Sequence, residues 1–387
     1  MDMQELRIGI AGLGGAASLV LPSFSKVPGV ALAAAADIRV QAREAFSAAH
    51  NLPAYASVEE LCAAEDVDAV WIETPNHLHC EHALTAAAHG KHIICAKPLA
   101  TSLEDCDRMI EAAEENGVQL LQGHSKIFDA PIRTIRDVVA SARLGRVTQI
   151  HTLLYNNWLQ RPRLEDELDP AKGGGIVLRQ GPHLVDIATY IAGGSPRSLR
   201  AVTGSWDPHF QSPGNFDALL DFGEGVTANL TLNGYGYFDS TELYWGIGGR
   251  GAMRQPSIAP KPRSKGPISQ EEKYSTPADA ETRARRAEGD HPPFFGLTIV
   301  SCEKGVIRQS PNGLFLYTEE GRQDINVGPS LGRAAELIEL RDALLKGRRV
   351  FPDGRWGRAT LEACLAINTS SVTGQDVTLT SQAIVPD

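Results

Sequence analysis

The chain has 387 residues, 42% hydrophobic and 22% charged, the balance of a folded protein with room for two domains. Its 37 Lys and Arg against 47 Asp and Glu leave a net charge of −10 and no strong basic stripe, so nucleic acid is not an expected partner. The first residues are polar and acidic, unlike a secretion signal, and the longest nearly apolar run, residues 27–36, is about half a membrane span. Cys62, Cys80, Cys95, Cys106, Cys302 and Cys364 show no Cys-x-x-Cys spacing and read as free thiols in a reducing compartment. The expectation is a cytoplasmic protein without a membrane partner.

Along the chain, residues 6–11, 30–36, 69–73, 92–95 and 118–122 are short, nearly unbroken apolar runs, as in strands covered on both faces. Amphipathic stretches separate them. Ser57 and Glu60 have capping-box spacing, and Ser102 opens a helix that Gly117 ends. This alternation predicts a doubly wound parallel sheet, an α/β domain over residues 1–126.

Residues 127–387 read as an α+β domain. Residues 226–233 alternate apolar and polar, and 216–222 precede them across Gly223-Glu224-Gly225. With further strands at 147–155, 199–204, 297–302, 306–308 and 314–317, a large, mostly antiparallel open sheet is expected. Two helices, one with Leu337, Leu340 and Leu344 and one with Leu361, Cys364 and Leu365, close the chain. Residues 251–293, rich in Pro, Lys, Arg, Glu and Ser, fit neither pattern and read as a lid, an oligomer arm or a solvated insertion. An open sheet with an apolar face calls for a cover, so a homo-oligomer is expected.

The first strand runs into Gly12-Leu-Gly14-Gly15-Ala16-Ala17. In Gly-x-Gly-x-x-Ala the first glycine permits a tight turn and the second lets backbone approach a pyrophosphate. The small third residue lets helix and strand pack closely, and the helix N-terminus offers N–H groups to the anion. Gly12, Gly14, Gly15 and Ala16 are therefore candidate dinucleotide contacts. Asp37 ends the second strand, where a carboxylate accepts from ribose hydroxyls and repels a 2′-phosphate. NAD is the expected cofactor, with neighbouring Arg39 the feature that could admit NADP.

Three later segments carry the chemistry: Glu73-Thr74-Pro-Asn76-His-Leu-His79, then Cys95-Ala96-Lys97-Pro98, then Gly173-Gly-Gly-Ile-Val-Leu-Arg179-Gln-Gly181-Pro-His183-Leu-Val-Asp186. With the glycine-rich turn these four ordered motifs resemble the Gfo/Idh/MocA (glucose–fructose oxidoreductase and inositol dehydrogenase) family along the whole length of the chain. The resemblance implies that Lys97, in the position of the family's Glu-Lys-Pro lysine, and His183 are catalytic. It places Thr74, Asn76, His79 and Lys97 beside the cofactor. Two residues depart from the pattern: Ala96 stands where the family has glutamate, and Arg179 where it has the aspartate beside the nicotinamide.

An arginine there would draw an anionic substrate, because its planar fork matches a carboxylate. Trp158-Leu-Gln-Arg161-Pro-Arg163 adds two cations beside an aromatic, so Trp158, Arg161, Arg163 and Arg179 are candidate substrate contacts. The competing reading pairs Arg161 and Arg163 with Glu165, Asp166 and Glu167. His124, after the fifth strand, is a further candidate lining residue. His77, His79 and His82 lack the partners and spacing of a tetrahedral metal set, so no metal is expected. The expected activity is NAD-dependent oxidation of a small carboxylated diol. An inositol, sugar or polyol dehydrogenase and a silent NAD-binding regulator are the alternatives.

Overall fold

The computed structural model describes residues 5–123, 126–210, 212–254, 266–275, 288–328 and 330–386. The chain forms two compact units, one of residues 1–125 with 332–361 and the other of residues 126–331 with 362–387.

The first unit is built on a six-stranded parallel sheet of order β3-β2-β1-β4-β5-β6. Its strands are β1 (Leu6–Ala11), β2 (Val30–Ala36), β3 (Ala54–Tyr55), β4 (Ala69–Ile72), β5 (His92–Cys95) and β6 (Leu120–Gln122). Helices α1 (Ala17–Val20), α2 (Val40–His50), α3 (Val58–Ala63), α4 (His79–Ala88) and α5 (Leu103–Glu115) connect them. Ile8, Ile10, Val70, Trp71, Ile93 and Ile94 are all buried, which is why these strands carry no polar alternation. The start signals act as expected: Ser57 Oγ accepts from the Glu60 N–H at 3.1 Å and Ser102 Oγ from the Asp105 N–H at 3.1 Å.

Residues 118 and 119, expected in the last strand, lie between the preceding helix, which ends at Glu115, and β6. Val118 N–H donates to the Ala113 carbonyl at 2.9 Å across Gly117, whose φ of +65° is the left-handed geometry of a helix stop. The helix Ala334–Lys346, which the sequence groups with the second domain, lies in the first unit.

The second unit holds a nine-stranded sheet of order β14-β13-β12-β11-β7-β10-β9-β8-β15. These strands are β7 (Val147–Tyr155), β8 (Ser198–Gly204), β9 (Asn215–Gly223), β10 (Val226–Asn233), β11 (Leu297–Cys302), β12 (Gly305–Ser310), β13 (Gly313–Thr318), β14 (Gly321–Asn326) and β15 (Val377–Thr378). All neighbours are antiparallel except β7 and β10. Helices α6 (Ala130–Ala140), α7 (Glu165–Leu168), α8 (Gly175–Ala192) and α9 (Gln270–Ser275) also belong to this unit. Phe216, Ala218 and Leu220 of β9 point inward, where α8 packs on β7, β9 and β10, while Asp217, Leu219 and Asp221 point outward.

In the 251–293 segment, α9 is tied to its own unit by an Ile268 N–H bond to the Arg163 carbonyl at 2.7 Å. Residues 255–265 and 276–287 lie outside the described residues, so most of the lid-or-arm expectation does too. All six cysteines are buried and free. Among the described residues no helix is long and apolar enough to cross a membrane.

Candidate active site

The 3-2-1-4-5-6 strand order reverses between β1 and β4, the crevice where ligands bind in doubly wound sheets. Gly12 sits there with φ +96°, and a Cβ on it would lie 2.9 Å from the Glu73 carbonyl oxygen. Two backbone bonds fix the approach: Gly12 N–H to Ala36 O at 2.7 Å and Glu73 N–H to Ala11 O at 2.8 Å. Gly14, Gly15 and Ala16 form the turn into α1, which is one turn long and continues as a 3-10 helix over Leu21–Lys26.

Asp37 follows β2, its side chain only 7% exposed. Its carboxylate accepts from the Leu13 N–H at 2.8 Å and from Arg39 through Nε at 3.0 Å and Nη2 at 2.9 Å. Burial would raise this carboxyl, but the Arg39 and Leu13 bonds prevail and hold it below the ordinary range. An ionised carboxylate beside the glycine turn fits a dinucleotide ribose. The same structure makes Arg39 a partner of Asp37.

Beyond β4, Thr74 Oγ1 lies 2.9 Å from His82 Nδ1, and Asn76 is buried at the start of a short 3-10 turn. His77 is exposed. His79 is completely buried, with Nδ1 2.9 Å from the Pro98 carbonyl and Nε2 3.0 Å from the Thr74 carbonyl. It therefore ties the chain after β4 to the chain after β5. Lys97 precedes Pro98 across a cis peptide bond. Burial raises the Glu73 carboxyl to about 7, against the pull of Arg333, His79 and Lys97.

The second unit gathers the remaining candidates around α8. Arg179 and His183 are four residues apart, on one helix face. His183 is buried, its ring edge-on to Phe295 at 4.5 Å between centroids, and Lys126 Nζ stands 5.5 Å from the same Phe295 ring. Arg179 Nη2 bonds Glu167 Oε1 at 3.1 Å. Arg163 Nη1 lies 3.6 Å from that oxygen, Lys273 Nζ binds Glu167 Oε2, and the Leu164 N–H reaches Oε2 at 2.8 Å. Burial would raise Glu167, yet Arg163, Arg179 and Lys273 outweigh it and hold the carboxyl at about 2.

Arg163 also stacks 4.1 Å above the buried Trp158 ring, so Trp158 serves as the platform for this cation. Arg161 Nε bonds Asn157 Oδ1 at 3.0 Å. For Arg163 the competing reading of an internal ion pair describes what the structure shows. His124 lies outside the described residues.

Sequence reasoning did not single out Lys126 or Lys273, gave Glu73 and Phe295 no role of their own, and weighed Glu167 only as an ion-pair partner of Arg161 and Arg163. The i,i+4 spacing of Arg163 and Glu167 was the available signal for the last. Nothing local connects Lys273 to a residue 106 positions earlier.

Two predictions follow from these ion pairs. Asp37→Ala is expected to lower the NAD over NADP preference in kcat/KM by about tenfold or more, because the charge that repels a 2′-phosphate is gone; an unchanged ratio would assign the discrimination to another residue. Glu167 is held below its ordinary 4.5, so its stabilisation is complete above that pH and disappears as pH falls through about 2. Glu167→Gln should cost on the order of 2–3 kcal/mol in urea unfolding at pH 7, with the gap closing between pH 4.5 and 2. A gap constant across that range would mean that packing, not charge, is lost.

Comparison with known proteins agrees with this architecture. Residues 6–124 match the oxidoreductase family with an NAD-binding Rossmann fold, and residues 132–253 match the GFO/IDH/MocA C-terminal domain. The 1-carboxy-3-chloro-3,4-dihydroxycyclohexa-1,5-diene dehydrogenase of Comamonas testosteroni is 33% identical over 377 residues, 94% of each chain. A crystal structure of a protein designated a dehydrogenase from Bordetella bronchiseptica RB50 superposes with a TM-score of 0.85 at 35% identity, covering 97% of this chain and all of that one. The WlbA dehydrogenase of Bordetella pertussis, crystallised with NADH and UDP-GlcNAcA, shares the fold at a TM-score of 0.72 and 19% identity, over 97% of this chain and 99% of its own. The chain belongs to the Gfo/Idh/MocA family and is an NAD-dependent dehydrogenase.

Proposed function

We propose that the enzyme oxidises a carboxylated cis-dihydrodiol to the corresponding catechol, with cis-4,5-dihydrodihydroxyphthalate as the substrate and 4,5-dihydroxyphthalate as the product. The observation that carries this reading is the cation cluster of Arg163, Arg179 and Lys273 around Glu167, of which Arg179 lies one helical turn from His183. A guanidinium can serve two carboxylates through its separate edges, so the contact of Arg179 with Glu167 is compatible with a substrate carboxylate. The name of the Comamonas testosteroni relative, a carboxylated cyclohexadiene diol dehydrogenase, supports the same substrate class.

NAD, when bound, supplies the hydride acceptor. The protein's part is to hold the diol and move the hydroxyl proton. Lys97 takes that proton as the carbinol C–H gives up its hydride, and the resulting ketone tautomerises to the aromatic catechol, which draws the reaction forward. With NAD held at the glycine turn, Lys97 would face a cationic ring, which would disfavour its ammonium and bring its pKa toward the working pH. His183, oriented by Phe295, polarises the reacting oxygen or relays the proton. Arg179 holds a carboxylate.

The test follows NADH absorbance with the phthalate dihydrodiol, with an uncharged cis-dihydrodiol and with inositol. The carboxylated diol should be preferred, and Arg179→Met should reduce that preference about 10- to 150-fold, the range of a charge-assisted hydrogen bond. Lys97→Met should lower turnover of the carboxylated diol about 10²–10⁴-fold while NAD binding persists. Equal use of carboxylated and uncharged diols by both wild type and Arg179→Met would leave a polyol dehydrogenase. Wild-type turnover by Lys97→Met would remove the lysine from the chemistry.

A further inference from the structure

The carboxylate of Asp37 meets donors on every side. Its Oδ1 accepts from the Arg39 backbone N–H at 2.8 Å and from Arg39 Nε at 3.0 Å. Its Oδ2 accepts from the Leu13 N–H at 2.8 Å and from Arg39 Nη2 at 2.9 Å. A carboxylate offers about four acceptor positions, so this set is full. The backbone supplies one donor to each oxygen, from the glycine turn and from the start of α2. The remaining position on each oxygen is filled by one guanidinium, bound as a fork.

Arg39 Nη2 also reaches the Leu13 carbonyl at 3.1 Å, so the fork lies across the glycine turn as well. Of the two side chains Asp37 is 7% exposed and Arg39 27%, which makes the guanidinium the solvent-facing member of the pair. A dinucleotide ribose binds a carboxylate in this place by donating its vicinal hydroxyls. Those hydroxyls need acceptor positions, and the ones that the backbone leaves are those the guanidinium fills.

We infer that Arg39 competes with the adenosine ribose for Asp37: its guanidinium closes the ribose subsite from within the chain and must swing off before the diol can bind. The inference rests on the reading of Asp37 as the ribose acceptor. Arg39 thus weakens the hold on any dinucleotide that carries the diol, whereas an arginine in contact with the ribose would strengthen it. The fork closes again as the ribose leaves, which favours release of the cofactor in either redox state.

The bend that carries Asp37 does not depend on the fork. Arg43 Nη1 bonds the Asp37 carbonyl at 2.8 Å and the Ile38 carbonyl at 3.1 Å, and the two backbone donors still hold the carboxylate. Replacing the Arg39 side chain should therefore leave Asp37 in place.

The test measures binding to the full chain by calorimetry at pH 8, where the Asp37 carboxyl is ionised with or without Arg39. The probes are ADP and 2′,3′-dideoxy-ADP, which differ only in the ribose hydroxyls. Arg39→Met removes an attraction for the diphosphate from both ligands alike, so that loss cancels in the ratio of their Kd values. What remains is the coupling between the guanidinium and the hydroxyls. The preference for ADP should rise about tenfold or more in Arg39→Met, the scale of one charge-assisted hydrogen bond. Arg39→Lys keeps the charge without the fork and should raise it part of the way. Adding Asp37→Asn to Arg39→Met should remove the gain.

A preference that stays level or falls in Arg39→Met, or in Arg39→Lys should the first variant fail to fold, overturns the competition. If Asp37→Asn then still cuts the preference, Asp37 stands as the ribose acceptor with no rival in Arg39. If it changes nothing, the ribose reading of Asp37 fails with it.

Discussion

The first unit depends on the close passage of backbone at the reversal of its sheet. Gly12 approaches the Glu73 carbonyl so nearly that a single added carbon would sit 2.9 Å away. Because β1 and β4 both end there, the glycine turn, Thr74 and the Lys97 loop are brought to one edge of the sheet by three adjacent strands. His79 then fixes the later two chains to each other through their carbonyls. A larger residue at Gly12 would therefore disturb more than the pyrophosphate turn, since the segment it would displace is the one that His79 grips.

The second unit reaches its chemistry differently, through charge gathered on a single carboxylate. Glu167 projects from a four-residue helix whose own geometry is too short to specify much. What places it is the surrounding set of Arg163 on its Trp158 platform, Arg179 from α8 and Lys273 from α9. Like charges this close repel unless an anion lies among them, so Glu167 is what permits the cations to assemble. It also links the inserted α9 to the helix that presents His183, which gives a segment without periodicity a defined place.

The Rossmann strands were legible because burial on both faces leaves a continuous apolar run, and the glycine turn because its φ value excludes most residues. The alternation of β9 and β10 was equally plain, since one face is wet. Strands β3 and β15 are two residues long and carry no period to read, and β14 (Gly-Arg-Gln-Asp-Ile-Asn) is mostly polar because it lies at the sheet edge. Helix α8 hides behind a glycine-rich start and an internal Pro182, both of which argue against a helix until packing decides otherwise. In the site, Lys97, His183 and Arg179 stood out by motif. Glu73, Glu167 and Lys273 did not, because the role of a charged side chain is set by what folding brings beside it, as with Lys273 and Glu167, 106 residues apart.

Those two carboxylates show how environment divides one functional group into two roles. Both are partly shielded from water, and burial raises the pKa of each. Around Glu167 three cations, two of them, Arg179 and Lys273, in direct hydrogen bond, overcome that cost and hold the carboxyl at about 2. Around Glu73 the cations His79, Lys97 and Arg333 fall short of it, and the group rests at about 7. A carboxylate at about 2 cannot exchange protons near neutral pH and can only organise charge. One at about 7 changes state with small rearrangements beside it, such as the arrival of a proton on a neighbouring lysine. The same functional group is thus a fixed charge in one setting and a titrating group in the other.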